Sequence, residues 1–243
     1  MSEPGFFADV WSYLTTADNW TGSLGIRTLF VEHVWMSLLA IGIAFAIAFP
    51  VALAIGHRRK AEFLVVSISN AGRAIPSLAI LAFLVPFSIR LGLGIGFWPT
   101  MAALVALAVP PLVTNTYIGI QEVDPDIVEA ARGMGMTERR VLWGIEVPLA
   151  VPLIVAGLRI ATLTVIATAT LAALVGWGGL GRLIVDGFAV QNRPKIFAGA
   201  LLVASLAIGV DLLLGWAGRR LSPRTSGDLS ERQAKANAAA AVG

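Results

Sequence analysis

Between Val34 and Gly56 the chain reads VWMSLLAIGIAFAIAFPVALAIG, a run with no charged residue. A helix rises 1.5 Å per residue, so about 20 apolar residues cross the roughly 30 Å of a bilayer's hydrocarbon. This run is long enough. Working outward, Phe97 to Ile120 gives another span and carries Pro99, Pro110 and Pro111. Leu149 to Val175 follows with Arg159 inside it, and Ile196 to Gly218 is interrupted only by Asp211. A shorter stretch, Ala74 to Ile89, lies between Arg73 and Arg90 and reaches spanning length only if part of Phe63 to Gly72 joins it. The expectation is an all-α polytopic membrane protein with about five transmembrane helices.

Composition agrees. Of 243 residues, 57% are hydrophobic and 14% charged, against about 25% charged in soluble domains; mean hydropathy is +0.80. These values exclude an ordinary soluble enzyme, a nucleic-acid-binding module and a disordered chain. There is no Cys, which removes disulfides, thiolate metal sites and cysteine nucleophiles. No basic region followed by a short apolar run and a small-residue cleavage site marks a signal peptide.

An odd number of spans puts the termini on opposite sides, and basic residues decide which. With the N-terminus outside, the inner segments hold Arg58, Arg59, Lys60, Arg132, Arg139, Arg140, Arg219, Arg220, Arg224, Arg232 and Lys235, eleven in all. The outer segments hold five: Arg27, Arg90, Arg182, Arg193 and Lys195. This predicts N-out, C-in, and assigns the pI of 9.8 to positive-inside topology rather than to nucleic acid. Trp35, Trp98 and Trp177 fall at outer span ends and Trp216 at an inner one, as interfacial anchors do. The division is an extracytoplasmic segment over 1–30, a transmembrane domain over 31–218 with a cytoplasmic loop at 121–148, and a flexible cytoplasmic tail over 219–243.

That loop reads EVDPDIVEAARGMGMTERRVLWGIEVP from Glu122 to Pro148. Asp124 suits an N-cap and Pro125 the first helical position. Asp126 and Glu129 suit the positive end of the helix dipole. Gly133 and Gly135 break the helix, and Thr137 caps a second short one toward Pro148. The product is a rigid knuckle of two short helices, its first presenting the small Ala130 and Ala131 to a partner.

Glu129-Ala130-Ala131, three residues, Gly135, nine residues, Ile145-Glu146-Val147-Pro148 resembles the EAA loop of ABC importer permeases, EAA-x3-G-x9-I-x-L-P, with Val147 where that pattern has Leu. Arg73-Ala-Ile-Pro-Ser-Leu-Ala and Gly176-Trp-Gly-Gly-Leu-Gly-Arg also resemble this superfamily. The stretch from Ala167 through Gly181 most resembles the subfamily importing quaternary-amine osmoprotectants: glycine betaine, choline, carnitine and proline betaine. Methionine-type permeases share two of these stretches, so an amino-acid permease is the alternative.

The resemblance implies a type I ABC importer transmembrane domain in a prokaryotic cell membrane. It also implies a second permease subunit, identical or homologous, a dimer of cytoplasmic ATPase subunits and an external substrate-binding protein. Asp124 to Met136 would be the coupling helix, with Asp126, Glu129, Ala130, Ala131, Gly133, Gly135, Ile145 and Pro148 as coupling residues. Hydrolysis belongs to the partner, which would bind ATP and Mg2+. This chain has no Gly-x4-Gly-Lys-Ser/Thr to cradle phosphate, no metal site and no cofactor of its own, and is not expected to be an enzyme.

Charge in hydrocarbon is costly, which makes each such residue a candidate. The pathway candidates are Arg73, Pro76, Thr114, Asn115, Arg159 and Asp211, the last two also a possible interspan ion pair. Glu32 and His33 read as solvated groups at the outer mouth, and His57 as part of a basic inner turn. Gly176, Gly178, Gly179 and Gly181 suit either a tight outer turn or a plain loop. A membrane hydrolase would need a cluster of acid, base and nucleophile, and the two His sit at opposite ends of one span. A secondary carrier would have no use for the knuckle.

Overall fold

The computed structural model describes residues 5–59, 63, 65, 67 and 75–221, and within them the regular structure is helical. The first helix, α1 (Phe6–Thr15), leads through a tight turn at Ala17–Trp20 to α2 (Ile26–His57). Next come α3 (Ser77–Arg90) and α4 (Phe97–Gln121), then the short α5 (Pro125–Gly133). The long α6 (Glu138–Val175), α7 (Gly181–Ala189) and α8 (Arg193–Leu221) complete the described residues.

Among the described residues four helices are long and apolar enough to cross a membrane: α2, α4, α6 and α8 through Arg220. Helix α3 has 14 residues, about 21 Å at the usual rise, which is short of a crossing by itself. The expected second span therefore depends on residues 60–74, where its start lies mostly outside the described positions. Pro76 takes the N-cap of α3 with φ −60° and ψ 131°. Helix α2 begins at Ile26, eight residues before the charge-free run, because Arg27 and Glu32 do not interrupt helical geometry at a span end.

The centre of the bundle is a seam between α2 and α4. Ala40, Ala44, Ala48 and Ala52 recur every four residues on α2, all buried, and Gly56 continues the row. Positions i and i+4 share a helix face, so this row presents almost no side chain. It admits Met101, Leu104, Ala108 and Leu112 of α4 close to the α2 backbone. Small residues at such a seam let helices approach in a bilayer, where burial of apolar groups gives little drive for association. At its end a Cβ on Gly56 would stand 3.0 Å from the Cβ of Ile120. Helix α6 packs on α4 by the same device. A Cβ on Gly157 would stand 2.6 Å from that of Asn115, and one on Gly119 3.1 Å from that of Leu153.

Residues 5–20 form a short helix and a tight turn packed on the bundle. Phe6, Val10, Tyr13 and Leu14 fall on one face of α1. Tyr13 and Leu14 join a cluster with Ile26, Leu29, Leu180 and Leu183, while Phe6 meets Phe197 of α8 edge-on at 5.4 Å. Phe7 and Trp11 remain exposed. At the other terminus Arg219 and Arg220 still belong to α8. The tail from Ser222 lies outside the described residues.

Candidate functional site

The connection from α4 to α6 is a compact elbow. Asp124 caps α5: its carboxylate accepts the backbone N–H of Asp126 at 2.9 Å, and Pro125 opens the helix. The other end closes on Gly135, whose φ of +81° only glycine adopts without strain. The N–H of Gly135 donates to the carbonyl of Arg132 at 2.9 Å, and that of Met136 to the carbonyl of Ala131 at 3.1 Å. This pair of bonds is the Schellman arrangement, which satisfies carbonyls that a helix end would otherwise leave open. Gly133 is still helical with open space around its Cα, so the break belongs to Gly135 alone.

Two further differences from the expected knuckle matter. Thr137 does take the N-cap position, but its side chain makes no capping bond. The second helix is not separate either. Glu138–Val141 passes through one widened, π-type turn at Leu142–Glu146 directly into Val147–Thr168, and a tighter 3-10 stretch, Ala169–Val175, ends it. Pro148 explains the location of the widening. It has no N–H to donate, and its ring crowds the carbonyl four residues back, that of Gly144. The elbow therefore runs into α6 without a joint.

Val123, Val128, Ala131 and Val141 form the elbow's own core, with Met136 and Ile145 packed against it. Ala131 is 1% exposed, so it holds α5 in place and is not presented to a partner as expected. The exposed surface of α5 carries Asp126, Ile127, Glu129, Ala130 and Gly133, followed by Met134 at 77% exposure. Ile127 and Met134 are exposed apolar side chains that the motif does not include. The Arg132 guanidinium holds Glu138 through two bonds of 2.9 and 3.0 Å across the bend. That carboxylate raises the Arg132 pKa above its ordinary value. Both side chains are exposed, and such pairs contribute little to stability; this one orients the bend.

The end of α2 meets the same elbow. Gln121 Nε2 donates to the Gly56 carbonyl at 3.0 Å, and Arg59 Nη2 to that of Val123 at 3.1 Å. His57 Nδ1 lies 2.5 Å from Glu146 Oε2, and its Nε2 lies 3.1 Å from Glu138 Oε2. Glu146 is 1% exposed. The role of His57 was missed in the sequence because its partners are 81 and 89 residues away; no local pattern carries it.

At the opposite end of α2, His33 is 1% exposed, with Nε2 3.0 Å from the carbonyl of Ile166. The reading of His33 as a solvated group is thus incorrect: α6 and the glycine turn cover it. Glu32 accepts the N–H of Gly179 at 2.9 Å. The turn is tight, with φ of +79° at Gly176 and +83° at Gly179. A Cβ on Gly181 would stand 2.1 Å from the Thr170 carbonyl oxygen.

Of the pathway candidates, Arg159 and Asp211 are brought together in a bidentate pair of 2.9 and 2.8 Å joining α6 to α8. Asn115 donates to the Pro111 carbonyl at 2.8 Å within α4 and packs on Gly157. Thr114 is half-buried on α4, and Pro76 is exposed at the start of α3. Arg73 lies outside the described residues. Among the described residues no group of His, Asp or Glu is placed to hold a metal ion.

A helical membrane bundle with a rigid elbow fused to one span is the architecture of a transporter's membrane-spanning subunit. The chain belongs to the family described as the inner membrane component of binding-protein-dependent transport systems, whose profile matches residues 39–226. The carnitine transport permease protein OpuCB of Listeria monocytogenes is 37% identical over 79% of this chain and 86% of its own. The choline transport system permease protein OpuBB of Bacillus subtilis is 38% identical over 79% of this chain and 86% of its own. The osmoprotectant import permease protein OsmW of Salmonella typhimurium is 33% identical over 78% and 88%. In fold, the chain is similar to the inward-facing MetNI methionine ABC transporter, with a TM-score of 0.73 at 22% identity, covering 82% of this chain and 96% of that one.

Proposed function

We propose that this chain is the permease subunit of an ATP-driven importer for quaternary-amine osmoprotectants such as glycine betaine, choline and carnitine. The observation that carries the reading is the elbow: a capped, glycine-terminated helix with an exposed face, folded on an exit arm that is continuous with a spanning helix. The substrate class is supported by relatives at 33–38% identity named for carnitine, choline and osmoprotectant transport. The likeness to methionine transporters is at 22% identity and supports the fold rather than the cargo.

In this reading α5 seats on a cytoplasmic ATPase subunit, one of a dimer that binds ATP and Mg2+ and performs the hydrolysis. A second permease completes the membrane core, and an external binding protein delivers substrate. The excess of basic residues at 58–60, 132–140 and 219–220 supports placing the elbow in the cytoplasm and the N-terminus outside. Closure of the ATPase dimer moves the elbow, α6 follows because nothing uncouples it, and the spans rock between access to one side and the other.

The test uses the chain co-purified with its ATPase and binding protein in proteoliposomes. Glycine betaine, choline or carnitine should stimulate ATP turnover and enter the vesicles; stimulation by methionine alone would reassign the cargo. Glu129→Lys, which reverses a charge on the exposed face of α5, should lower uptake while the chain still inserts. Wild-type uptake by that variant would remove α5 from the contact.

A further inference from the structure

We propose that His57 is a positioning residue for coupling, locking the end of α2 to the exit arm of the elbow so that α2 and α6 move together. The proposal rests on the reading of the chain as an ATP-driven permease and names a part of that machinery outside the EAA pattern. Along the chain α2 reaches the elbow only through residues 60–96 and α4, yet its end touches both arms directly. Gly56 and Arg59 bond to the entry arm at Gln121 and Val123. Among the described residues the polar contacts from α2 to the exit arm, at Glu138 and Glu146, are made by the imidazole of His57, beside the ring contact of Phe49 with Trp143.

The widened turn makes this double contact possible. Eight residues of a regular α-helix turn through about 800°, which leaves side chains at i and i+8 about 80° apart. A π-type turn over Leu142–Glu146 lowers the rotation per residue and brings Glu138 and Glu146 toward one face. A single ring can then meet both. Such bulges occur frequently at functional sites. Glu146 is also a carboxylate withdrawn from water, and a group of that kind is tolerated where it is paired; His57 is its partner here. The bond to Glu146 is sheltered and the bond to Glu138 faces solvent, with side-chain exposures of 2% and 60%. The inner bond adds a polar tie to the apolar packing of Phe49 on Trp143 and Leu53 on Ile154 between α2 and α6, and the outer contact ties both to the bend.

The complete transporter in proteoliposomes supplies the test, read as substrate imported per ATP hydrolysed and normalised to assembled complex. His57→Leu/Glu146→Leu removes the latch and leaves no unpaired buried charge, so it is the variant expected to fold. Its ratio should fall by about five-fold or more, the low end of coupling between sites, with ATPase binding retained. His57→Gln keeps a donor for Glu146 and should recover part of the ratio. A weakened fold by itself lowers the amount of complex, not the yield per ATP. A wild-type ratio in the double variant, or no recovery in His57→Gln, overturns the latch while wild-type uptake leaves the function standing. Wild-type vesicles with no ATP-driven uptake would remove both.

Discussion

Two glycines of the elbow, two residues apart, have opposite requirements. Gly135 holds a positive φ that a side chain disfavours by about 1 to 2 kcal/mol. Gly135→Ala should therefore destabilise the bend and lower uptake. Gly133 is helical with free space, where alanine lowers the entropy cost of ordering the chain. Gly133→Ala should stabilise the protein by about 0.5 to 1 kcal/mol. Thermal unfolding of the two variants in detergent, compared with wild type, checks the opposite signs. At this scale the sequence was informative wherever the signal was local. Asp124 and Pro125 announce a helix start because cap and first turn are adjacent in the chain. Gly133 and Gly135 could not be told apart by type; only the backbone angle distinguishes them. His57 and His33 were misjudged for a common reason: each is defined by a partner more than 80 residues away.

Helix contacts depend on what is missing from one face. The alanine row on α2 was open to a count in steps of four, from Ala40 to Gly56, although a search for apolar length does not register it. Ala48→Leu places an isobutyl group where α4 approaches, and overpacking of this kind costs about 1 to 3 kcal/mol. Reduced melting temperature and reduced yield of folded protein should follow, with Ala48→Gly much milder. The glycine turn after α6 is stricter. A Cβ on Gly181 meets backbone at Thr170, which cannot yield as a side-chain tip can. Gly181→Ala should abolish most folded protein, read by size-exclusion chromatography after solubilisation. The fusion of the elbow with α6 was not legible, since residues 137–141 carry charge and resemble a separate surface helix. Continuity is imposed by the packing of Val141 and Ile145 into the elbow core.

Across the whole molecule, apolar length located the long spans but not the extent of their helices, because charged ends continue the helix beyond the hydrocarbon. The pair of Arg159 and Asp211 acts at this scale, joining α6 to α8 with side chains 40% and 29% exposed in the isolated chain. Removing one partner leaves an uncompensated charge at membrane depth. Asp211→Asn should lower the melting temperature, and Arg159→Met/Asp211→Leu should regain much of it, since an apolar replacement has no charge to satisfy. Uptake measured in the stable double variant would then separate transport from structure.

The unbroken course of α6 has a mechanical consequence. Thirty-eight helical residues extend about 57 Å at the usual rise, nearly twice the hydrocarbon thickness, with the elbow at one end. A displacement of the elbow would therefore have a continuous helical path to the glycine turn, with the widened turn at Leu142–Glu146 and Pro152 as the places along it where the helix can bend.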